Sequence, residues 1–102
     1  MRVIWSPLAM SRASEIARFI STDSPKNGIE WVNRLFDFTD DLGKFPNMGR
    51  IAPELKRENY RELIFESFRI VYRVEEKRIL ILTIRHVRQK LNDDETKGEA
   101  SV

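Results

Sequence analysis

The spacing of apolar residues changes once along this chain, and that change limits its fold more than any other feature. Up to Leu42 hydrophobic side chains recur at intervals of three and four; from Tyr60 onward they recur at intervals of two. The first spacing buries one stripe of a helix and the second buries one face of a strand. Helices followed by strands, rather than alternating with them, point to an α+β domain with its helices on one side of a sheet.

The helical half carries its own boundaries. Arg2-Val3-Ile4-Trp5 is a β-favouring run stopped by Ser6-Pro7, which supplies an N-cap and a first helical residue with preset φ. Ala9, Ala13, Ile16, Ala17 and Ile20 then form a stripe of mostly small residues opposite Arg12, Glu15 and Arg18, so this helix can approach a neighbour closely. Ser21-Thr22-Asp23-Ser24-Pro25 ends it and repeats the Ser-Pro device, with Ser24 as cap; so short a connection predicts an antiparallel pair. Ile29, Val32, Leu35, Phe36, Thr39 and Leu42 outline the apolar stripe of the second helix, with Trp31 and Phe38 at its margin. Gly43 and Pro46 terminate it, and residues 45–56, containing Pro46, Gly49 and Pro53, read as irregular.

In the second half, Tyr60 to Phe65 reads as a strand, Glu66-Ser67 as a tight turn and Phe68 to Val74 as a second strand. Alternation puts Phe68, Ile70, Tyr72 and Val74 on one face, and Arg69, Val71 and Arg73 on the other. After a turn at Glu75-Glu76-Lys77, the run Ile79 to Ile84 is apolar on both faces, as a central strand requires. Arg85-His86-Val87-Arg88 closes it. Residues 91–102 are acidic, lack an apolar stripe and read as a frayed tail beyond a single domain of residues 1–90. The order is β-α-α-β-β-β: a helical hairpin packed on a small, mainly antiparallel sheet, with the arginines of the second meander strand on the uncovered face.

Composition narrows the function classes. With 102 residues, 41% of them hydrophobic and 33% charged, the chain builds one soluble core and is too charged to be membrane-embedded. The absence of cysteine excludes disulfides, a thiol nucleophile, zinc–thiolate sites and iron–sulfur clusters. No apolar run approaches the ~18 residues of a membrane span and no signal-peptide core follows Met1, so a cytoplasmic location is expected. The net charge of +2 hides an asymmetry: residues 50–90 carry +5, residues 91–102 carry −3, and residues 1–49 balance. The basic segment suits either an anionic partner or a solvated sheet face.

Enzyme signatures are sparse. There is no P-loop, dinucleotide fingerprint, HExxH or nucleophile elbow, and one histidine without cysteine implies no metal and no cofactor. What remains is His86 between Arg85 and Arg88, with Arg69 and Arg73 on the neighbouring strand and Arg61 beyond. Guanidinium groups orient and stabilise a reacting phosphate and a histidine moves a proton near neutral pH, a set that suits metal-free RNA cleavage by a 2′-hydroxyl. The alternative is a strand-end His86 satisfied by Glu62 or Glu66. Trp5, Trp31 and the phenylalanines fit a core better than a base-stacking platform, which needs exposed rings on one face.

Val3-Ile4-Trp5-Ser6-Pro7 with Ala9, Pro25 at the second helix, Leu42 through Phe45-Pro46 to Gly49-Arg50, Arg61-Glu62-Leu63, Phe68 to Val74, and Ile84-Arg85-His86-Val87-Arg88 together resemble the RelE/ParE superfamily of toxins across residues 2–90. The resemblance implies a cognate antitoxin that wraps and silences the toxin, with operator DNA contacted only through that antitoxin. It also implies one of two activities. RelE-like members cut mRNA on the ribosome, which would make Arg61, Arg69, His86 and Arg88 catalytic, with Arg85 beside them; ParE-like members poison DNA gyrase without a hydrolytic site. Arg61, Arg69, Arg73, Arg85 and Arg88 are the positions expected to meet the target or antitoxin. No tyrosine follows Tyr72 and the tail is acidic, unlike the RelE-like pattern, and the Ile84–Arg88 ending looks more like the ParE-like branch.

Overall fold

A computed structural model describes residues 1–97. Strand β1 (Arg2–Trp5) leads into α1 (Pro7–Ser21) and α2 (Pro25–Asp40), a short 3-10 turn spans Asp41–Gly43, and β2 (Arg50–Ile51), β3 (Tyr60–Phe65), β4 (Phe68–Val74), β5 (Arg78–His86) and α3 (Asp93–Lys97) follow. The sheet order is β1-β5-β4-β3-β2, with β1 parallel to β5 and every other pairing antiparallel. Two helices packed on a mainly antiparallel sheet are the α+β architecture that the change of period predicts.

Ser6 caps α1 as expected, and does more. Its hydroxyl accepts from the Ala9 amide at 3.1 Å and donates to the Leu82 carbonyl at 2.8 Å, so one side chain both starts the helix and ties it to the central strand. Ser24 occupies the N-cap position of α2 without a side-chain capping bond. The small-residue stripe of α1 performs its predicted role: a Cβ on Gly28 of α2 would lie 2.8 Å from the Ala17 carbonyl oxygen, so only glycine permits this approach.

The apolar stripe of α2 is rotated from the one expected. Ile29 is 65% exposed, whereas Trp31 is 1% exposed and packs edge-on against Phe65 and Phe68. Ring area decides this, because burying an indole removes more apolar surface from water than burying an isoleucine. Its Nε1 also finds an acceptor in Glu66 at 3.1 Å. The expected irregular stretch contains β2, which pairs with β3 through Arg50↔Glu62 and Ile51↔Arg61.

The two faces of the sheet differ. The hairpin covers one core that includes Ile70, Tyr72, Ile79, Ile81 and Ile84, joined by Val3, Trp5, Leu63 and Phe68. On the other face Val71, Leu80 and Leu82 make a smaller cluster with Ile4, Tyr60 and Leu91. Leu91 belongs to the segment read as a frayed tail; beyond it Asp93–Lys97 forms a short helix in which Glu95 is 3% exposed. No apolar stripe announces this helix because polar bonds hold it. The rest of the expected tail, residues 98–102, lies outside the described residues.

Candidate functional site

The face turned away from the hairpin is built on alternation and on one register shift. Partners across β3, β4 and β5 place Tyr60 with Arg73, Glu62 with Val71, Ile64 with Arg69, and Arg69 with Arg85. Between Val71 and Tyr72 the β4–β5 register slips: Val71 faces Thr83 while Tyr72 faces Ile81, leaving Leu82 as an extra residue. Such a bulge reverses which way the following side chains point. Thr83 and Arg85 therefore join Arg69 and Arg73, while Ile84 and His86 turn to the hairpin side.

The sheet thereby divides the arginines and histidine expected to act together. Arg69, Arg73 and Arg85 share one face. His86 pairs with Phe68 on the other, its ring 6.1 Å from that ring, and its Nδ1 accepts the Arg88 amide at 3.2 Å rather than meeting Glu62 or Glu66. Arg61 pairs with Tyr72 on the hairpin side and spends its donors on the carbonyls of Glu58 at 2.9 Å and Gly49 at 2.8 Å. Arg88 is exposed in the turn after β5.

The shared guanidinium groups are not a bare cationic surface, contrary to the expectation for an uncovered face. Arg69 is 7% exposed. Its Nη1 and Nη2 bond Glu54 at 2.7 and 2.8 Å, its Nε and Nη2 bond Glu62 Oε1, and Nη1 also reaches the Gln89 carbonyl. Arg50 takes the second Glu62 oxygen at 2.7–2.8 Å. Arg73 bonds Glu75 and lies over the Tyr60 ring, and Arg85 Nε bonds Glu95 at 2.6 Å. Pairing follows from burial, since an ion removed from water is tolerated only with a counterion and satisfied hydrogen bonds.

Protonation follows the same contacts. Bonds from Arg69 outweigh burial and lower the Glu54 carboxyl from 4.5 to about 2, while Glu54 above all, with Glu62, raises Arg69. Burial alone would raise Glu95, but bonds from Arg85, the Asn92 amide and Thr83 outweigh it and hold the carboxyl low. On the hairpin side burial raises the Tyr72 phenol against the opposing bond from Gly49. That hydroxyl donates to the Pro46 carbonyl at 2.8 Å and accepts from the Gly49 amide at 3.0 Å, fixing the loop before β2. Among the described residues no group of three or more His, Asp or Glu side chains is arranged to hold a metal ion.

Glu54, Glu95 and Thr83 are absent from the residues singled out by sequence, and Glu62, weighed there as a partner of His86, instead pairs with Arg69 and Arg50. Only Glu95 had an available signal, the opposed charge of residues 50–90 and 91–102; Glu54 and Glu62 pair within the basic segment itself.

A family model described as the ParE toxin of type II toxin–antitoxin system, parDE, matches residues 3–91. The chain belongs to the ParE toxin family. A Sinorhizobium fredii (strain NBRC 101917 / NGR234) protein described as "Putative toxin Y4kP" is 30% identical over 91 residues, covering 87% of this chain and 91% of that protein. A solved structure described as "Chromosomal ParDE TA system from P. aeruginosa" has a TM-score of 0.71 at 24% identity, covering 84% of this chain and 95% of that one, and so shares the fold. The resemblance to the RelE/ParE superfamily, and within it to the ParE-like branch, is borne out. Among the described residues of this ParE-family chain, no helix is long and apolar enough to cross a membrane.

Proposed function

We propose that this ParE-family toxin inhibits growth in the cytoplasm by protein–protein contact with DNA gyrase, and that a cognate antitoxin silences it. What supports contact over RNA cleavage is the separation of the groups that cleavage needs: Arg61 and His86 lie on the hairpin side, Arg69 and Arg85 on the other. General acid–base catalysis requires the proton carrier within hydrogen-bond reach of the phosphate held by the arginines. A phosphate held by Arg69 and Arg85 would be screened from His86 by the sheet itself. Arg69, Arg73 and Arg85 hold the framework through their ion pairs, and Arg88, exposed beyond β5, meets a partner. Operator DNA is reached only through the antitoxin.

The test sets purified protein against gyrase on relaxed plasmid and, separately, against a translating extract read by primer extension. The expected result is loss of supercoiling with accumulation of cleaved DNA, an uncut message, and reversal of growth arrest by the protein of the adjacent gene. Cuts in ribosome-bound message with supercoiling untouched would instead assign the mRNA-endonuclease activity.

A further inference from the structure

The bulge at Leu82 builds a second feature. β1 ends at Trp5, so beyond Ile81 the outer edge of β5 meets Ser6 and α1 instead of a strand. Arg12 reaches this edge from α1, where Thr83 and Arg85 have been turned to the polar face. Their donors converge on one carboxylate, Glu95. Thr83 Oγ1 bonds Glu95 Oε1 at 3.0 Å, Arg85 Nε bonds the same oxygen at 2.6 Å, and Arg12 Nη2 lies 3.3 Å from it. Glu95 Oε2 takes the Asn92 amide of its own segment at 2.7 Å.

This arrangement has donors and charge to spare. Two guanidinium groups meet one carboxylate, and Arg12 Nε is buried with no hydrogen-bond partner among the described residues. A buried donor without an acceptor is unusual in a folded protein and calls for an explanation. The occupant has no stability of its own, because α3 has five residues, too few for an isolated helix, so its place depends on its contacts. It is held by Glu95, by Leu91 against Val71, Leu80 and Leu82, and by the Arg73 bond to the Lys97 carbonyl.

We propose that Arg12, Thr83 and Arg85 form a receptor for a carboxylate of an acidic peptide, filled in cis by the chain's own Glu95 and in trans by an acidic residue of a binding partner. The occupant already seated there argues for a carboxylate, and the unused Arg12 Nε–H and unbalanced positive charge give an incoming segment with a second acceptor something the resident tail leaves unmet. The toxin–antitoxin reading supplies only a source for such a segment; the chemistry of the pocket stands apart from it. A tethered occupant competes at high effective concentration, so the pocket is closed to weak ligands until the tail is displaced.

The test titrates the full chain, as wild type and as Glu95→Gln, with a blocked peptide of residues 91–97, following the Arg85 Nε–H resonance by NMR. Removing the resident carboxylate is expected to tighten peptide binding at least tenfold, replacing the peptide's glutamate by glutamine to abolish that gain, and adding Arg12→Gln to Glu95→Gln to weaken binding again. Excess peptide is expected to shift the Asn92 and Glu95 amide resonances of the wild-type chain, a readout that needs no substitution. Equal affinity for both chains, indifference to the peptide's glutamate, or unmoved wild-type resonances at excess peptide would overturn the proposal. So would inorganic phosphate binding Glu95→Gln as tightly as the peptide does. Neither gyrase nor an antitoxin enters this experiment, so its failure leaves the toxin reading standing.

Discussion

The two faces of this sheet are stabilised by different physics. The hairpin side is apolar area removed from water: Ala9, Ala13, Trp31 and Leu35 of the helices close over Ile70, Ile79, Ile81 and Ile84. The opposite side seats a three-residue apolar cluster inside a frame of ion pairs, in which Arg69, Arg73 and Arg85 are matched by Glu54, Glu62, Glu75 and Glu95. An apolar face tolerates change in proportion to the area lost. An ionic face tolerates matched changes and punishes single ones, because a buried charge that loses its partner has nowhere to go.

Glu62→Ala is expected to have the largest effect, about 3–5 kcal/mol of destabilisation, since it strips a buried counterion from Arg69 and frees Arg50. Chemical denaturation measures it. The double change Glu62→Leu with Arg69→Met is expected to restore most of that loss; an additive loss instead would mean the ionic frame is not what stabilises this face. On the hairpin side Leu35→Ala, at a fully buried position, is expected to lose about 2–5 kcal/mol, with no comparable rescue by a single change in a neighbour.

Acid sharpens the contrast further. The Glu54 carboxyl is depressed from 4.5 to about 2 by Arg69, and Glu95 is lowered as well, so the native state binds fewer protons than the unfolded chain. Their stabilisation is complete above 4.5 and is lost as pH falls toward 2. Thermal melts across that window are expected to show a falling midpoint, and Glu54→Gln to flatten part of the slope. The smallest effect belongs to Arg88→Ala: exposed and outside the ion pairs of the described residues, it is expected to change stability by less than about 0.5 kcal/mol while weakening partner binding, read by calorimetry.

The hairpin side was legible in the sequence because periodicity reports burial directly. Ser6-Pro7, the small stripe of α1 and the alternation of Phe68, Ile70 and Tyr72 each encode their own placement. The register of α2 was not, because Ile29 and Trp31 satisfy overlapping stripes and only the ring contacts with Phe65 and Phe68 decide between them. On the ionic side, alternation placed Arg69 and Arg73 correctly, but it carries no information about long-range partners. Glu95 lies 10 residues beyond Arg85 in a stretch that reads as a tail, and Glu54 lies 15 residues before Arg69 in one that reads as a loop. The bulge was equally hidden: one extra residue within an unbroken apolar run leaves no mark on composition, yet it decides the faces of Thr83, Arg85 and His86.

The most direct test asks whether the guanidinium groups of the polar face are engaged inside the free protein. Hydrogen exchange of arginine Nε–H groups, followed by NMR near neutral pH, reports this residue by residue. Slow exchange at Arg69 and Arg85 with fast exchange at Arg88 is the predicted result. Uniformly fast exchange at all three would contradict it and return this face to an open cationic surface.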